Sequence, residues 1–233
     1  MSWQPFLSFP RRRASGIGGN DANTILLLHC DGTNGSTSFT DSSSNGATVT
    51  ANGNAAVSTA QSQFGGASLG LDGTGDYLSV PDANNFDFGS GDFTIDMWVR
   101  LAGTSSFQTI YGKRANSSAV DGLILVVQSG SILFYASSGG AWNIWSGAVC
   151  GSISANTWTH IGVSRSSNNW YGFVGGTVTS LGSSASSIAA NSAAVTIGGD
   201  TNGLHVNGHI DEVRVSNIAR WTATFTPPTA PYD

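Results

Sequence analysis

Short runs of alternating apolar and polar residues, separated by glycine turns, recur along most of this sequence. The clearest run covers residues 93–101, and its apolar positions are Phe93, Ile95, Met97, Val99 and Leu101. A period of two is typical of a β-strand that buries one face and leaves the other outside the core. Residues 122–128 and 131–136 flank Ser129-Gly130, and Gly175-Gly176 separates two further runs, as in β-hairpins. The pattern predicts an all-β fold, a two-sheet antiparallel sandwich.

The composition agrees with a fold made of strands and turns. Of the 233 residues, 31 are glycine and only 10% are charged, whereas a typical domain has about 25% charged residues. The 39% content of hydrophobic residues argues against disorder. The sequence offers one helical candidate, Asn217–Trp221, which is about one turn long.

The run at residues 208–216 departs from the period of two. Ile210 and Val213 are three positions apart and cannot share a face of a regular strand, whereas Val213 and Val215 resume the alternation. A β-bulge at Asp211-Glu212 would reconcile the two halves. Because a bulge re-aims side chains, this acidic pair is a candidate functional feature.

The charge distribution limits the partners. The net charge is −5, and three of the nine basic residues are clustered near the start of the chain, so the rest is more acidic than the whole. An acidic body argues against nucleic acid, which requires a basic surface. No apolar run reaches the ~20 residues of a membrane-spanning helix, so we expect no membrane partner.

The first twenty residues differ from the remainder. They carry aromatic residues, two prolines, an arginine triplet and a glycine-rich hinge. A free tail is the simpler interpretation, and a docking arm is the one that we favour. The sequence predicts an N-terminal docking arm at residues 1–20 and a β-sandwich at residues 21–233. The residues that would dock on the partner are Trp3, Phe6, Arg11, Arg12 and Arg13.

Cys30 and Cys150 are the only cysteines. They could form a disulfide between an early and a middle strand, or remain buried thiols that pack as small hydrophobic groups. Two cysteines in a chain of this length are far fewer than in disulfide-stapled secreted domains, which favours free thiols.

Four segments resemble the concanavalin A-like domains of the laminin-G/pentraxin type. They are LDGTGDYLSV (71–80), DFTIDMWVRL (92–101), NTWTHIGVSR (156–165) and GHIDEVRVSNIARW (208–221). The resemblance implies a jelly roll of two stacked antiparallel sheets, one of them concave, that binds glycans or proteins, often with calcium. The sequence departs from the family pattern at Gly175-Gly176, where Asp-Gly is usual. This change preserves the turn.

The chain offers two candidate calcium sites, of which the resemblance implies the first and the second would be structural. The first corresponds to Asp121 together with Asp200 and Asn202, and the second pairs Asp31 with Asp211. Calcium prefers several oxygen ligands from loops, including carboxylates and backbone carbonyls. For each of these aspartates the alternative is a carboxylate that caps its own turn or bulge.

Aromatic residues in the segment YASSGGAWNIW are the best candidates for ligand contacts. Rings stack on the apolar faces of sugars and supply a large contact area at low entropic cost. The candidates are Tyr135, Trp142, Asn143 and Trp145. An oligomer interface would use the same residue types, and Trp98 and Trp158 are expected to be packing residues.

Catalysis is not expected. Glycosidases need two carboxylates across the scissile bond, and the only glutamate, Glu212, adjoins Asp211 on a strand whose neighbouring side chains point to opposite faces.

The Ser/Thr/Gly-rich composition, with a single lysine, resembles that of bacteriophage structural proteins. We therefore expect a non-enzymatic protein on the surface of a virion, either a head decoration or fibre protein or a tail adhesin. It would be a homo-oligomer and would bind other virion proteins through its arm. Cell-surface glycans would be its ligands. The alternatives are a bacterial extracellular carbohydrate-binding module and, third, a glycoside hydrolase.

Overall fold

The computed structural model describes residues 19–115, 120–201 and 203–233. Within these ranges the chain forms fifteen β-strands and one short 3-10 helix, Asn84–Phe86. The strands are β1 (Thr24–Leu28), β2 (Thr50–Asn52), β3 (Ala56–Ser58), β4 (Ser68–Asp72), β5 (Tyr77–Val80), β6 (Phe93–Leu101), β7 (Gln108–Lys113), β8 (Gly122–Gln128), β9 (Ser131–Ser137), β10 (Trp145–Ser152), β11 (Thr159–Ser166), β12 (Asn169–Val174), β13 (Thr177–Ser183), β14 (Val195–Ile197) and β15 (Asn207–Ser216). The all-β prediction is confirmed.

The strands form two antiparallel sheets. The eight-stranded sheet has the order β13-β12-β11-β6-β15-β4-β3, with β1 paired to β15, and the seven-stranded sheet has the order β10-β9-β8-β7-β14-β5-β2. Turns predicted at Ser129-Gly130 and Gly175-Gly176 join β8 to β9 and β12 to β13, and all four residues have positive φ. Residues 72–76 instead connect β4 to β5, which belong to different sheets. The result is the two-sheet jelly roll that the sequence predicts.

The bulge in β15 divides that strand between two neighbours. Residues 207–210 pair with β4, and residues 213–216 pair with β1. On the other edge, the register with β6 shifts between Asp211 and Arg214, and Glu212 has a φ of 50°. The predicted bulge at Asp211-Glu212 is therefore confirmed, and it lies where β15 changes partner.

The hydrophobic core lies between the sheets. The five alternating apolar residues of β6 are fully buried there, opposite residues of the other sheet such as Leu125 and Ile197. Trp170 is the largest fully buried side chain in the described ranges, and its ring contacts those of Phe93 and Phe134 at centroid distances of 5.7 and 5.9 Å. Burial of each large apolar side chain contributes roughly 1.5–3 kcal/mol.

Residues 217–233, called here the C-terminal segment, cover the outer face of the eight-stranded sheet. Trp221 and Phe225 stack with ring centroids 4.0 Å apart, and both rings meet the fully buried His160 edge-on. Asp96 and Trp98, on the side of β6 that the alternation placed outside the core, are also buried, Asp96 beneath Tyr232 and Trp98 against the ring of Phe64. We call this surface the covered face.

The prediction of a helix at Asn217–Trp221 is wrong, because the structure has bends and irregular backbone there. Backbone carbonyls of this stretch accept hydrogen bonds from side chains of the sheet. Thr94 Oγ1 donates to the Ile218 carbonyl at 2.8 Å, and Ser164 Oγ donates to the Trp221 carbonyl at 2.6 Å. These sheet hydroxyls satisfy carbonyls that a helix would have satisfied internally.

The N-terminal end of the described chain meets its C-terminal end. The Asn20 amide donates to the Asp233 carbonyl at 2.9 Å, and the Arg220 guanidinium contacts both carboxylate oxygens of Asp21 at 2.7 Å. This ion pair lowers the pKa of Asp21 to about 2. The predicted arm would therefore join the sandwich beside the C-terminal segment. The docking residues Trp3, Phe6, Arg11, Arg12 and Arg13 lie outside the described residues.

The two cysteines are unbonded and buried, as favoured above. Burial raises the pKa of both thiols, that of Cys150 to about 12, so they remain protonated at neutral pH. Within the described ranges, no helix has the length and apolar character needed to cross a membrane.

Candidate functional site

The outer face of the seven-stranded sheet, called here the open face, differs from the covered face. Its strand registers align one row of outward-facing residues across β2, β5, β14, β7, β8 and β9. In that order the row is Thr50, Ser79, Thr196, Gly112, Ile124 and Tyr135. Small and hydroxyl-bearing residues occupy the first four positions of the row, and Ile124 and the large ring of Tyr135 occupy the last two.

Aromatic and aliphatic side chains cluster at the Tyr135 end of this row. The Tyr135 ring lies 6.2 Å from that of Phe107 and 5.5 Å from that of Trp142, centroid to centroid. Leu133, also outward-facing on β9, pairs with Val149 of the edge strand β10. Val149 is 52% exposed, the one large hydrophobic residue so exposed in the described chain. These five residues are called here the aromatic patch.

The local sequence explains why Tyr135 and Trp142 meet. Gly147 has a φ of 72°, and a Cβ there would lie only 3.1 Å from the Tyr135 hydroxyl oxygen. Glycine thus allows the edge strand to pass beside the ring, at a backbone angle that other residues rarely adopt. The loop that carries Trp142 is fixed by the Ser137 hydroxyl, which lies 2.7 Å from the Val120 carbonyl oxygen and 2.5 Å from that of Ala141.

The four predicted ligand residues occupy different positions. Tyr135 and Trp142 belong to the aromatic patch, and the Asn143 amide lies beside them, where its Oδ1 accepts a 2.9 Å bond from the Ser138 amide. Trp145 is separate, because its ring packs on Trp170 at 6.1 Å and contacts the core from the edge of the sandwich.

Phe107 belongs to the patch, and the sequence reasoning missed it. It is a single aromatic residue in the Gly/Ser/Thr-rich loop between β6 and β7. A large aromatic ring in such a loop was the available signal, since apolar side chains in turn-rich loops have no strand periodicity to explain them.

The first candidate calcium site contains a neutralised carboxylate. An Oδ2 atom of Asp200 lies 2.5 Å from an Arg114 guanidinium nitrogen and 3.3 Å from the Thr109 hydroxyl, on the open face. Asp121 Oδ1 accepts a long 3.4 Å bond from the Ala115 amide. Asn202 lies outside the described residues. Calcium would have to compete with the guanidinium for Asp200.

The second candidate calcium site lies at the β15 bulge. Asp211 Oδ2 accepts hydrogen bonds from the backbone amides of Gln63 at 2.8 Å and Phe64 at 3.1 Å. A Cβ at Gly65 would collide with the Asp31 carboxylate, so both aspartates contact one loop. Burial raises the pKa of Asp31 and raises that of Asp211 to about 7. Among the residues that the structure describes, no three His, Cys, Asp or Glu side chains form a metal-binding group.

The remaining acidic groups near the bulge serve internal contacts. Glu212 is 1% exposed, its Oε1 lies 2.8 Å from His29 Nδ1, and its Oε2 accepts a 2.9 Å bond from the Tyr232 amide. The contact with Glu212 raises the pKa of His29. Because Glu212 points to the C-terminal segment and Asp211 to the loop at residues 63–64, they do not face one another across a cleft.

A buried ionic network fastens the covered face. Asp96 accepts hydrogen bonds from the Tyr232 hydroxyl and from Arg214 Nε, the latter at 3.1 Å. His160 Nε2 lies 3.2 Å from the same carboxylate, and the Arg214 guanidinium lies 3.8 Å from the centre of the Tyr232 ring. Although burial alone would raise the pKa of Asp96, the positive charge of Arg214 and the hydrogen bonds lower it.

Comparison with known families agrees with this architecture. The family model described as the concanavalin A-like lectin/glucanases superfamily matches residues 72–223, well over half of the chain. The chain belongs to this superfamily. A search of curated proteins finds no match for this lectin-like chain.

Solved structures share the lectin-like fold at low sequence identity. Domain 4 of an extracellular arabinanase from Geobacillus stearothermophilus, in complex with arabinotriose, is 18% identical with a TM-score of 0.63, over 84% of this chain and 93% of that one. The binding domain of Paraclostridial Mosquitocidal Protein 1 is 15% identical with a TM-score of 0.63, over 84% and 49%. The binding domain of botulinum neurotoxin DC, in complex with SialylT, is 14% identical with a TM-score of 0.63, over 85% and 48%. The lectin-like chain thus spans about half the length of these toxin domains, and the likeness concerns the fold.

Proposed function

We propose that this protein is a non-catalytic carbohydrate-binding domain whose glycan lies on the aromatic patch. The observation that carries the proposal is the cluster of Phe107, Tyr135 and Trp142, which are partly exposed on the outer face opposite the C-terminal segment. The covered face is also rich in aromatic rings, but the chain itself occupies it.

The geometry suits the apolar side of a sugar ring. Sugar C–H groups pack on aromatic faces, and rigid rings supply contact area at a small entropic cost. The hydrogen bonds of Ser137 and Asn143 hold the Trp142 loop before any ligand arrives, which reduces the ordering cost of binding.

The carboxylates support a non-catalytic role. Glycoside hydrolysis requires two carboxyl groups that flank the scissile bond. Glu212 and Asp211 are both buried and bind backbone amides of this chain. A glycoside hydrolase is therefore the weakest of the three candidate functions.

The relatives support a glycan as the ligand class. The arabinanase domain of similar fold holds arabinotriose, and the toxin binding domain holds SialylT. These ligands differ, so the fold similarity alone does not choose between neutral and sialylated sugars.

The biological setting is a proposal from the sequence. We propose that residues 1–20 anchor the domain to other proteins of a bacteriophage particle, in a homo-oligomer on its surface, with calcium as an accessory ion. A bacterial extracellular carbohydrate-binding module is the alternative, and it would use the same aromatic patch. Deletion of residues 1–20 tests the anchor, because particle association should be lost while the sandwich still folds.

The binding proposal is tested with the full chain on an array of neutral and sialylated oligosaccharides, with calcium and with a chelator. Trp142→Ala should weaken the strongest interaction about five- to tenfold, because loss of one ring contact costs about 1–1.5 kcal/mol. Trp158→Ala is the matched control, since Trp158 is partly exposed beside His209 of the other sheet. Absence of glycan binding both with calcium and with chelator would refute the proposed carbohydrate-binding function. Binding by Trp142→Ala equal to that of the wild type would refute the aromatic patch as the site.

A further inference from the structure

A polar cleft of about 470 Å³ is lined in part by Ser106 and Gln108, the chain neighbours of Phe107. Three connections form it, β4 to β5, β6 to β7, and β14 to β15. The polar side chains that line it belong to Asp72, Thr74, Ser106, Gln108, His205 and Asn207. Phe107 of the aromatic patch lies in the chain between Ser106 and Gln108, so one loop serves both features.

Hydrogen bonds hold the cleft in shape. At its base the buried Gln108 donates from Nε2 to the Gly103 carbonyl at 2.9 Å and accepts at Oε1 from the Asn207 amide at 3.0 Å. On one wall Asp72 Oδ1 accepts a 2.7 Å bond from the Thr74 amide. A Cβ at Gly73 would lie 3.0 Å from that of Asn207, so the turn approaches β15 closely only because residue 73 is glycine. The cleft is thus built before ligand arrives.

The lining indicates an uncharged polyhydroxylated ligand. From the residues that the structure describes, the Asp72 carboxylate accepts one bond at each oxygen, at 2.7 and 3.3 Å, although a carboxylate has about four lone-pair sites. Hydroxyl and amide groups nearby both donate and accept, as sugar hydroxyls require. No lysine or arginine is among the described residues that line the cleft, and the Asp72 charge would repel an anion.

The half-buried His205 supplies a flat wall. Its ring stacks on Tyr77, with centroids 6.0 Å apart and an interplanar angle of 21°. Its Nδ1 atom is buried, and none of the described residues hydrogen-bonds to it. The stack fixes the imidazole plane at the side of the cleft, where a bound sugar ring would meet it.

We propose that this cleft is a second subsite, which binds a neutral sugar unit of the same glycan chain whose neighbouring unit stacks on the aromatic patch. This inference rests on the proposed function and specifies its ligand as a neutral oligosaccharide longer than one unit. The loop at residues 102–107 connects the two subsites, because its side chains face the cleft at Ser106 and the patch at Phe107.

The test uses the full-length protein and the oligosaccharide panel described above, followed by calorimetric titration with the strongest neutral binder and with its component monosaccharide. Asn207→Ala and Thr74→Val remove ligand-facing polar groups of the cleft, and each should weaken oligosaccharide binding about tenfold, as expected for loss of one buried hydrogen bond. Asn217→Ala is the matched control, because this exposed asparagine follows the opposite end of β15. It should bind as the wild type does.

The outcomes separate the two proposals. Wild-type binding that is lost in Trp142→Ala but unchanged in both Asn207→Ala and Thr74→Val would overturn the cleft subsite and leave the proposed function intact. Preference for sialylated over matched neutral oligosaccharides would also overturn the subsite. The second subsite would be supported if the cleft variants lose affinity for the oligosaccharide and the wild type binds the monosaccharide at least tenfold more weakly than the oligosaccharide.

Discussion

The two outer faces of the sandwich are both rich in aromatic side chains, but on only one of them does the C-terminal segment pack across the sheet. On the covered face, Trp221, Phe225 and Tyr232 come from the C-terminal segment and pack on residues of the sheet. On the open face, Phe107, Tyr135 and Trp142 contact one another and remain partly exposed. Aromatic content alone therefore does not mark a binding site. The path of the chain decides which rings become a third layer of the core and which stay available to a ligand.

The covered face should contribute far more to stability than the open face. Removal of the Arg214 side chain would leave Asp96 buried without its cation, which costs about 3–5 kcal/mol. Arg214→Ala should therefore lower the urea midpoint sharply or prevent folding. Arg100→Ala is the control on the neighbouring strand, where a partly exposed charge contributes at most about 1 kcal/mol. Equal midpoints for the two variants would contradict a structural role for the buried network.

Single hydroxyl groups sharpen the same comparison. Tyr232→Phe removes the hydrogen bond to the Asp96 carboxylate, so we expect a loss of about 1.5–3 kcal/mol in unfolding free energy. Tyr135→Phe on the open face should change stability by less than about 0.5 kcal/mol, because that ring is partly exposed. Denaturant unfolding of both variants checks the difference. A larger loss in Tyr135→Phe would reverse the assignment of the two faces.

The bulge that supports the covered face should make stability depend on pH. Asp211 has a folded-state pKa of about 7, above its ordinary 3.8, so the folded state binds the proton more tightly. The pKa of His29 is also raised, and its stabilising contribution is likewise lost as pH increases through the folded value. Stability should consequently decrease as pH rises from about 4 to above 7.

Acid should lower the stability of the fold through other groups, Asp21 and Asp96. The pKa values of Asp21 and Asp96 are lowered, so their contributions are present above about pH 4 and are lost as pH falls below it. Melting temperatures measured from acid to alkaline pH test both the loss of stability in acid and the loss above about pH 4, and NMR titration of the Asp211 carboxyl group measures its pKa directly. An Asp211 pKa near 4 would contradict the dominant effect of burial on this carboxylate.

Calcium should produce the smallest effect and would distinguish the two candidate sites. Binding to the folded state raises the melting temperature in proportion to the logarithm of the free ion concentration. If calcium binds at the bulge, Asp31→Asn should abolish the increase, whereas Asp200→Asn should abolish it for a site on the open face. Measurement at pH 8 keeps Asp211 ionised. An unchanged melting temperature with calcium and with chelator would remove calcium from the proposal.

Much of the fold could be predicted from local patterns. The alternation in β6, the glycine turns and the three-residue spacing of Ile210 and Val213 identify strands, hairpins and the bulge, because backbone geometry leaves a direct trace in neighbouring residues. The helix predicted at Asn217–Trp221 failed because the hydroxyls that satisfy its carbonyls come from Thr94 and Ser164, distant in sequence.

The candidate site could be predicted only in part. Tyr135 and Trp142 lie within a few residues of one another, and the sequence placed them together correctly. Phe107 joins them from another loop, while Trp145 turns toward Trp170. Side chains three residues apart can thus belong to different surfaces, because the edge strand that begins at Trp145 places that ring against the core.

The sequence by itself determined the class of fold, the turns and the bulge, since each depends on the conformational preferences of adjacent residues. Only the tertiary structure decided which sheet face is covered. That outcome depends on Tyr232, which meets Asp96 and Arg214 from the far end of the chain. Contacts between residues more than a hundred positions apart form because together they bury rings and satisfy charges, and no local pattern records them.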